Sequence, residues 1–265
     1  MPTMLKTALP DPHPANRKNP PLDLLSALAS LDNEQLARLI EFTLQTRRHR
    51  LGLAEKEELI EEIAWWQRVD TQMQIHLGEL AVAVYDARHP KHWLWKSHKQ
   101  FFLDRLEPGT RVLDVGCGAS AYLLWMAELG CDVTACDIDA GRIEQARSIM
   151  SHERLRFEVR DATKWIPSEP FDTVICSHVI EHLEEPVQML SALRACAPRL
   201  LVAVPPMDNR WQKVMFKDLA LRWKDDEDHV REYTPLLLSE QIERAGWRLT
   251  EMIPGVDIKA VAIRD

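Results

Sequence analysis

The hydrophobic pattern of this chain changes its period near Arg111. Upstream of this point, apolar residues recur every three or four positions, which predicts amphipathic helices. One helix begins after Asp32, which forms a capping-box pattern with Gln35, and a second runs from about Ala54 into the 80s. Downstream, short apolar runs alternate with helical segments, which predicts βαβ units and a parallel sheet.

The last two apolar runs are GWRLTEMI and DIKAVAIR, and a short stretch with Pro254 and Gly255 separates them. This spacing predicts a hairpin, so an antiparallel strand ends a mostly parallel sheet. Residues 1–21 carry six prolines and almost no apolar periodicity, which predicts a disordered leader. We expect residues 22–105 to form a helical lid or interface region and residues 106–265 to form the α/β domain.

Charge and cysteine content narrow the class of protein. The 265 residues carry a formal net charge of −8, which argues against broad nucleic-acid binding because that needs a basic surface. The five cysteines form no CxxC pair, and four of them lie in apolar runs, which favours reduced, buried thiols. The N-terminus has no apolar stretch typical of a secretory signal, and no run of 18 apolar residues is present. We therefore expect a cytoplasmic protein without a membrane span.

The stretch VLDVGCGAS joins the first predicted strand to a helix. Its glycines at 116 and 118 permit a tight turn and a close approach of the backbone to a ligand. Asp114 precedes the first glycine, where an acidic side chain suits an amine-bearing ligand better than a pyrophosphate. Asp137 ends the second strand, where a carboxylate can accept hydrogen bonds from both ribose hydroxyls. A third acidic turn, with Asp161, ends the third strand.

These motifs resemble those of class I S-adenosylmethionine (SAM)-dependent methyltransferases over roughly residues 95–265. The resemblance implies a Rossmann-like, seven-stranded sheet, mostly parallel, with an antiparallel last strand. It also implies that SAM is the cofactor. The implied cofactor-binding residues are Asp114, Gly116 and Gly118 at the methionine part, Asp137 at the ribose, and Ile138, Asp161 and Ala162 at the adenine, with Ser177 nearby. One departure is Ser120, which stands where the family often has a third glycine.

The stretch SHVIEH follows the fourth strand, and the carboxyl ends of parallel strands are where α/β sheets bind ligands. On a helical turn, His178, Glu181 and His182 would share one face. Imidazoles and a carboxylate suit a divalent cation, and His229 in DHVREYT is a fourth candidate ligand. This set resembles the metal ligands of small-RNA 2′-O-methyltransferases and ubiquinone-pathway O-methyltransferases, although His178 replaces their first glutamate. Three hypotheses stay open: a Mg²⁺ or Mn²⁺ site, a metal-free site with a histidine base, and a purely structural role.

The stretches PMDNRW and DHVREYT resemble acceptor-flanking segments of bacterial sugar O-methyltransferases. Four residues are candidates for contact with the substrate: His98, Arg210, Trp211 and Tyr233. The sequence therefore predicts a SAM-dependent O-methyltransferase for a hydroxyl of a saccharide or similar polar metabolite, in which His178, His182 or His229 takes the proton. The alternatives are an RNA 3′-terminal 2′-O-methyltransferase, a quinone or phenol O-methyltransferase, and a noncatalytic scaffold. The N-terminal helices are candidates for a homodimer interface.

Overall fold

A computed structural model describes residues 30–49, 51–85, 91–165, 167, 169–207, 211–224, 226 and 228–265, without the side chains of residues 91–96. The predicted leader, residues 1–21, lies outside the described residues. The chain forms two compact units, Met1–Val69 and Asp70–Asp265. The boundary between them precedes the predicted one at residue 105.

The first unit contains helix α1 (Asn33–Arg48) and the first part of helix α2 (Lys56–Val84). The capping box at the start of α1 is confirmed, since Asp32 and Gln35 each accept a hydrogen bond from the other's backbone amide. Within this unit Arg47 lies 3.7 Å from Glu62. Helix α1 ends at Arg48, and the next residue, His49, has a right-handed backbone conformation.

The second unit is built on a seven-stranded sheet with the order β3-β2-β1-β4-β5-β7-β6. The strands are β1 (Arg111–Val115), β2 (Asp132–Asp137), β3 (Leu155–Val159), β4 (Thr173–Ser177), β5 (Arg199–Val204), β6 (Arg248–Ile253) and β7 (Ile258–Ile263). The first five strands pair in parallel, and β7 pairs antiparallel with both β5 and β6. The predicted fold class, including the terminal hairpin, is confirmed.

Helices cover both faces of the sheet. They are α3 (Lys91–Leu103), α4 (Tyr122–Glu128), α5 (Ala140–Ile149), α6 (Pro186–Leu193), α7 (Trp211–Asp218) and α8 (Pro235–Arg244), and a 3₁₀ turn spans Ile180–His182. Apolar residues of α3, α4 and α5 pack on one face, and those of α6 and α8 pack on the other. Phe101 and Phe102 of α3 are buried in the first of these clusters, so the predicted helical region 22–105 contributes part of the core of the sheet domain.

Side chains of successive strand residues alternate between the two faces. In β1 and β4, Val112 and Ile175 belong to the cluster under α3 and α4, so Asp114 and Ser177 point to that same face. This places one polar side chain from each strand beneath α3 and α4, near the carboxyl edge of the sheet. No helix within the described residues is long and apolar enough to cross a membrane.

Candidate active site

The glycine-rich turn after β1 has the conformation that its glycines predict. Gly116 and Gly118 have φ angles of 68° and 52°, in the left-handed region that favours glycine. A Cβ on Gly116 would lie 2.5 Å from Cγ2 of Val179, whereas a Cβ on Gly118 would meet no atom within 4 Å. The turn therefore packs tightly against the loop after β4 at Gly116 and borders open space at Gly118.

Asp137, at the end of β2, is held by backbone amides. Its carboxylate accepts hydrogen bonds of 2.9 Å from Gly118 N and from Asp139 N. These two contacts fix the carboxylate at the carboxyl edge of the sheet beside the glycine-rich turn. The next residue, Ile138, is 68% exposed. An exposed apolar side chain beside a fixed carboxylate is the arrangement expected where an adenosine lies.

Asp114 is fully buried and accepts hydrogen bonds of 3.0 and 3.1 Å from the hydroxyl of Tyr122. Burial raises the pKa of its carboxyl to about 8; the Tyr122 hydrogen bond lowers it, and the charge of Asp137 raises it further. A buried carboxylate of this kind gains most from a cationic ligand group.

The turn after β3 contains two further candidates for cofactor contact. The carboxylate of Asp161 accepts hydrogen bonds from the amide and hydroxyl of Thr163 and pairs with Lys164 at 2.9 Å. These contacts lower its pKa to about 2. Ala162 packs against the core cluster under α6 and α8. Asp161 thus stabilises its own turn, which follows β3 at the carboxyl edge of the sheet.

The loop after β4 differs from the predicted helical turn. His178 has a φ angle of 55°, and its amide donates to Ala203 O, so the chain turns sharply before the 3₁₀ segment Ile180–His182. The prediction that His178, Glu181 and His182 share one α-helical face is therefore wrong.

Glu181, His182 and His229 form a cluster in which one ligand atom from each lies within 4.8 Å of the others. The rings of His182 and His229 meet edge to face at 4.9 Å. The backbone brings the two segments together, because Val230 N donates to Glu181 O at 2.8 Å. Three of the four predicted metal ligands are thus adjacent, and His178 contacts this cluster at Glu181, with Nδ1 3.5 Å from Oε1.

The carboxylate of Glu181 is fully buried, and neither of its oxygens has a hydrogen-bond partner in the described part of the chain. Burial raises the pKa of this carboxyl, and the charges of His178, His182 and His229 oppose the shift only in part. His229 is itself oriented by Glu232, whose Oε1 lies 3.1 Å from His229 Nδ1. A buried carboxylate without a hydrogen bond is costly unless a cation or proton accompanies it.

A second cluster contains His98, His178 and Asp257. Asp257 Oδ2 lies 2.8 Å from His98 Nδ1, and Oδ1 lies 3.3 Å from His178 Nε2. The other ring nitrogen of His98 lies 3.1 Å from the hydroxyl of Ser177. Asp257 was not among the residues predicted from the sequence; the only signal was its place in the turn of the terminal hairpin.

The predicted substrate residues have different environments. Arg210 lies outside the described residues. Trp211 begins α7 and is 68% exposed. Tyr233 is fully buried, and its hydroxyl donates to Gln241 Oε1 at 2.6 Å, so its position is that of a core residue and not of a substrate contact. His98 is also buried and is held by Ser177 and Asp257.

The strand order, the glycine-rich turn and the acidic residue after β2 define the class I SAM-dependent methyltransferase fold. A family model described as "Methyltransferase domain" matches residues 87–252, and the chain belongs to this family. Two solved structures show the same fold. Magnesium protoporphyrin IX methyltransferase from Synechocystis PCC 6803, with bound SAH, is 20% identical with a TM-score of 0.53, covering 65% of this chain and 83% of that one. A SAM-dependent methyltransferase from Aquifex aeolicus is 19% identical with a TM-score of 0.52, covering 63% and 89%.

Curated relatives include ubiquinone biosynthesis O-methyltransferases. The protein of that name from Xanthomonas campestris pv. campestris (strain B100) is 38% identical over 97 residues, which are 35% of this chain and 39% of the relative. That from Dinoroseobacter shibae is 28% identical over 148 residues, which are 52% of this chain and 60% of the relative. The matches thus span less than two thirds of these relatives' length.

Proposed function

We propose that the protein is a SAM-dependent O-methyltransferase that acts on a hydroxyl of a small, ring-shaped, polar acceptor. The observation that carries the proposal is the cluster of Glu181, His182 and His229, two of which lie in the 3₁₀ turn after β4. The glycine-rich turn of the cofactor site touches the same loop through Gly116 and Val179. Groups able to activate a hydroxyl therefore lie beside the place where SAM binds in this fold.

The cofactor roles follow from the geometry of the first two strands. Asp137, already fixed by two amides, would accept hydrogen bonds from the ribose hydroxyls, and Ile138 would cover one face of the adenine. Asp114 would pair with the ammonium of the methionine part, which removes the cost of its buried charge. The turn of Asp161 and Ala162 would meet the adenine edge.

The reacting end must align the acceptor oxygen with the methyl group and receive a proton. The residues of the cluster fit a divalent cation, because the two Glu181 oxygens lack hydrogen bonds among the described residues and two imidazoles face them. A bound Mg²⁺ or Mn²⁺ would supply Lewis-acid activation of the acceptor hydroxyl. In a metal-free site, His182 or His229 would take the proton instead.

The class of acceptor has two candidates. The names of the curated relatives favour a phenolic hydroxyl of the kind found in quinone precursors. A saccharide hydroxyl, which the sequence predicted, is supported by the exposed indole of Trp211 at the start of α7, because an exposed indole can stack on a sugar ring. Both candidates have a ring and a polar hydroxyl.

The first experiment is calorimetric titration with SAM and SAH, followed by transfer of a labelled methyl group to a panel of catechols, phenols and saccharides. We expect binding of both cofactor forms and turnover with one acceptor class. Adding EDTA should abolish turnover, and Mn²⁺ or Mg²⁺ should restore it. Absence of SAM and SAH binding would refute the proposal. Full turnover in EDTA would refute only the role of a metal ion.

A further inference from the structure

We propose that Asp257 is a positioning residue that orients His178 toward the candidate cation site of Glu181, His182 and His229. The inference rests on the proposed function, because it assigns a role within the same site. The residue lies in the turn between β6 and β7, far along the chain from the segments that supply the other groups. The carboxylate of Asp257 would thereby complete the set of residues around the acceptor.

The two carboxylate oxygens of Asp257 have different partners. Oδ2 lies 2.8 Å from His98 Nδ1, and Oδ1 lies 3.3 Å from His178 Nε2. The side chain of Asp257 is only 14% exposed, so water competes little with these contacts. Each oxygen thus faces its own imidazole: the contact with His98 is a hydrogen bond, and the contact with His178 is an ion-pair distance without hydrogen-bond geometry.

His98 holds Asp257 in place from beneath α3. Its ring is buried, its second nitrogen lies 3.1 Å from the hydroxyl of Ser177, and it packs edge to face on Phe102 at 5.0 Å. The carboxylate is therefore anchored to a rigid helix and strand on one side. Such support is what holds a functional side chain to its productive orientation.

The contact with Asp257 turns the opposite side of the His178 ring to the cluster. His178 Nδ1 lies 3.5 Å from Glu181 Oε1, the carboxylate that His182 and His229 also face. A histidine that binds a metal nearly always donates its other ring N–H to a carboxylate, a carbonyl or water. The ring of His178 lies between two carboxylates, with Nε2 facing Asp257 and Nδ1 facing Glu181, so a small adjustment would give it this arrangement.

Direct chelation by His98, His178 and Asp257 is the competing explanation, since these three also lie close together. The 2.8 Å distance between Asp257 Oδ2 and His98 Nδ1 is that of a hydrogen bond, so this carboxylate already has a partner. In the described residues, both oxygens of Glu181 lack hydrogen bonds, which makes Glu181 the carboxylate in need of a cation. The geometry therefore favours an orienting role for Asp257.

The test is titration of the full-length protein with Mn²⁺ alone, with free Mn²⁺ measured by electron paramagnetic resonance. Asp257→Asn keeps the shape of the side chain but leaves a single acceptor oxygen for the two histidines. We expect its Mn²⁺ affinity to fall about 10- to 100-fold, the usual effect of losing a residue that orients a ligand. Its SAH affinity and thermal denaturation midpoint should match those of the wild type.

Glu251→Gln is the matched control. Glu251 lies on the same hairpin and pairs at 2.7 Å with Arg105, just after α3. The substitution therefore removes another carboxylate contact between the β6–β7 hairpin and the α3 region. We expect wild-type Mn²⁺ affinity in this variant. Equal losses in both variants would mean that the hairpin acts only as a structural support, and the proposal would be overturned.

A spectroscopic measurement identifies the ligands. In protein labelled with ¹⁵N-histidine, the bound Mn²⁺ should show couplings to three histidines, and His178→Gln should remove one of them. Unchanged couplings in His178→Gln, or wild-type Mn²⁺ affinity in Asp257→Asn or in Glu181→Gln, would each refute the proposal. Failure of the wild type to bind Mn²⁺ would refute it as well, and SAH binding would then decide separately whether the methyltransferase proposal holds.

Discussion

The buried carboxyl of Asp114 permits a quantitative prediction about stability and cofactor binding. Its pKa is raised to about 8 in the folded protein, from an ordinary value of 3.8. Between these values the folded state retains a proton that the unfolded state has released, so the stability of the cofactor-free protein should decrease as pH rises. Asp114→Asn removes the ionisation and keeps an oxygen that can accept the hydrogen bond from Tyr122.

The magnitude follows from the size of the pKa shift. Each pH unit within this window changes the free energy of unfolding by about 1.4 kcal/mol, so this group makes the folded protein about 4 kcal/mol less stable at pH 7 than below its ordinary pKa of 3.8. This figure is an upper limit, because relaxation and water entry weaken burial penalties. Asp114→Asn should abolish this contribution and be more stable than the wild type near pH 8.

Urea denaturation of the cofactor-free proteins from pH 5 to pH 8 measures the effect. The difference between the unfolding free energies of Asp114→Asn and the wild type should widen steadily with pH. Cofactor binding gives the second readout, because pairing with an ammonium should ionise Asp114 and release about one proton near pH 6.5. Calorimetry of SAM binding in buffers of different ionisation enthalpy counts that proton, which Asp114→Asn should not release.

Parallel stability curves for the two proteins across this pH range would refute the reasoning. Wild-type SAM affinity in Asp114→Asn would refute the proposed pairing with the ammonium. The two readouts are separate, because the first depends only on burial and the second depends on the position of the ligand.

The other predictions concern the two loops of the site. Gly116→Ala should lower the free energy of unfolding by about 2–3 kcal/mol, because the new Cβ would meet Val179 and the φ angle is positive. Gly118→Ala should lower it by only about 1 kcal/mol, because only the φ angle is unfavourable there. Equal shifts of the two thermal denaturation midpoints would contradict this reasoning. Asp137→Ala should abolish SAM binding in calorimetry, and unchanged affinity would show that its carboxylate serves only the two amides. Glu181→Gln should leave the denaturation midpoint of the metal-free protein unchanged or raise it, because the substitution removes a buried carboxylate. Mn²⁺ should raise the midpoint of the wild type but not that of this variant. A preserved Mn²⁺ effect in the variant would mean that the cation binds elsewhere.

Elements governed by local patterns were predictable from the sequence. The capping box of α1 involves residues three positions apart, and the terminal hairpin follows from two apolar runs with a short turn between them. The cofactor edge was also predictable, because the carboxyl ends of parallel strands meet there. Asp114 and Asp137 are accordingly found at that edge.

The reacting end depended on tertiary contacts that no short-range pattern contains. His178 leaves β4 in a left-handed conformation, and a short 3₁₀ turn follows it in place of the expected α-helical turn. Asp257 meets His98 across 159 residues of sequence, so nothing near either residue indicated the contact. The spacing of histidines and acidic residues in the sequence indicated the right residue types. It did not indicate that they form two clusters, one with Glu181 and the other with Asp257.

The contact between Gly116 and Val179 has a consequence for engineering of the proposed site. The two loops meet without a gap, so enlarging the side chain at 179 would push on the turn that supports the cofactor. Larger side chains at position 179 should therefore lower SAM affinity. The start of α7, at Trp211, is exposed, so a substitution there is less constrained by packing, which makes it the better region to diversify.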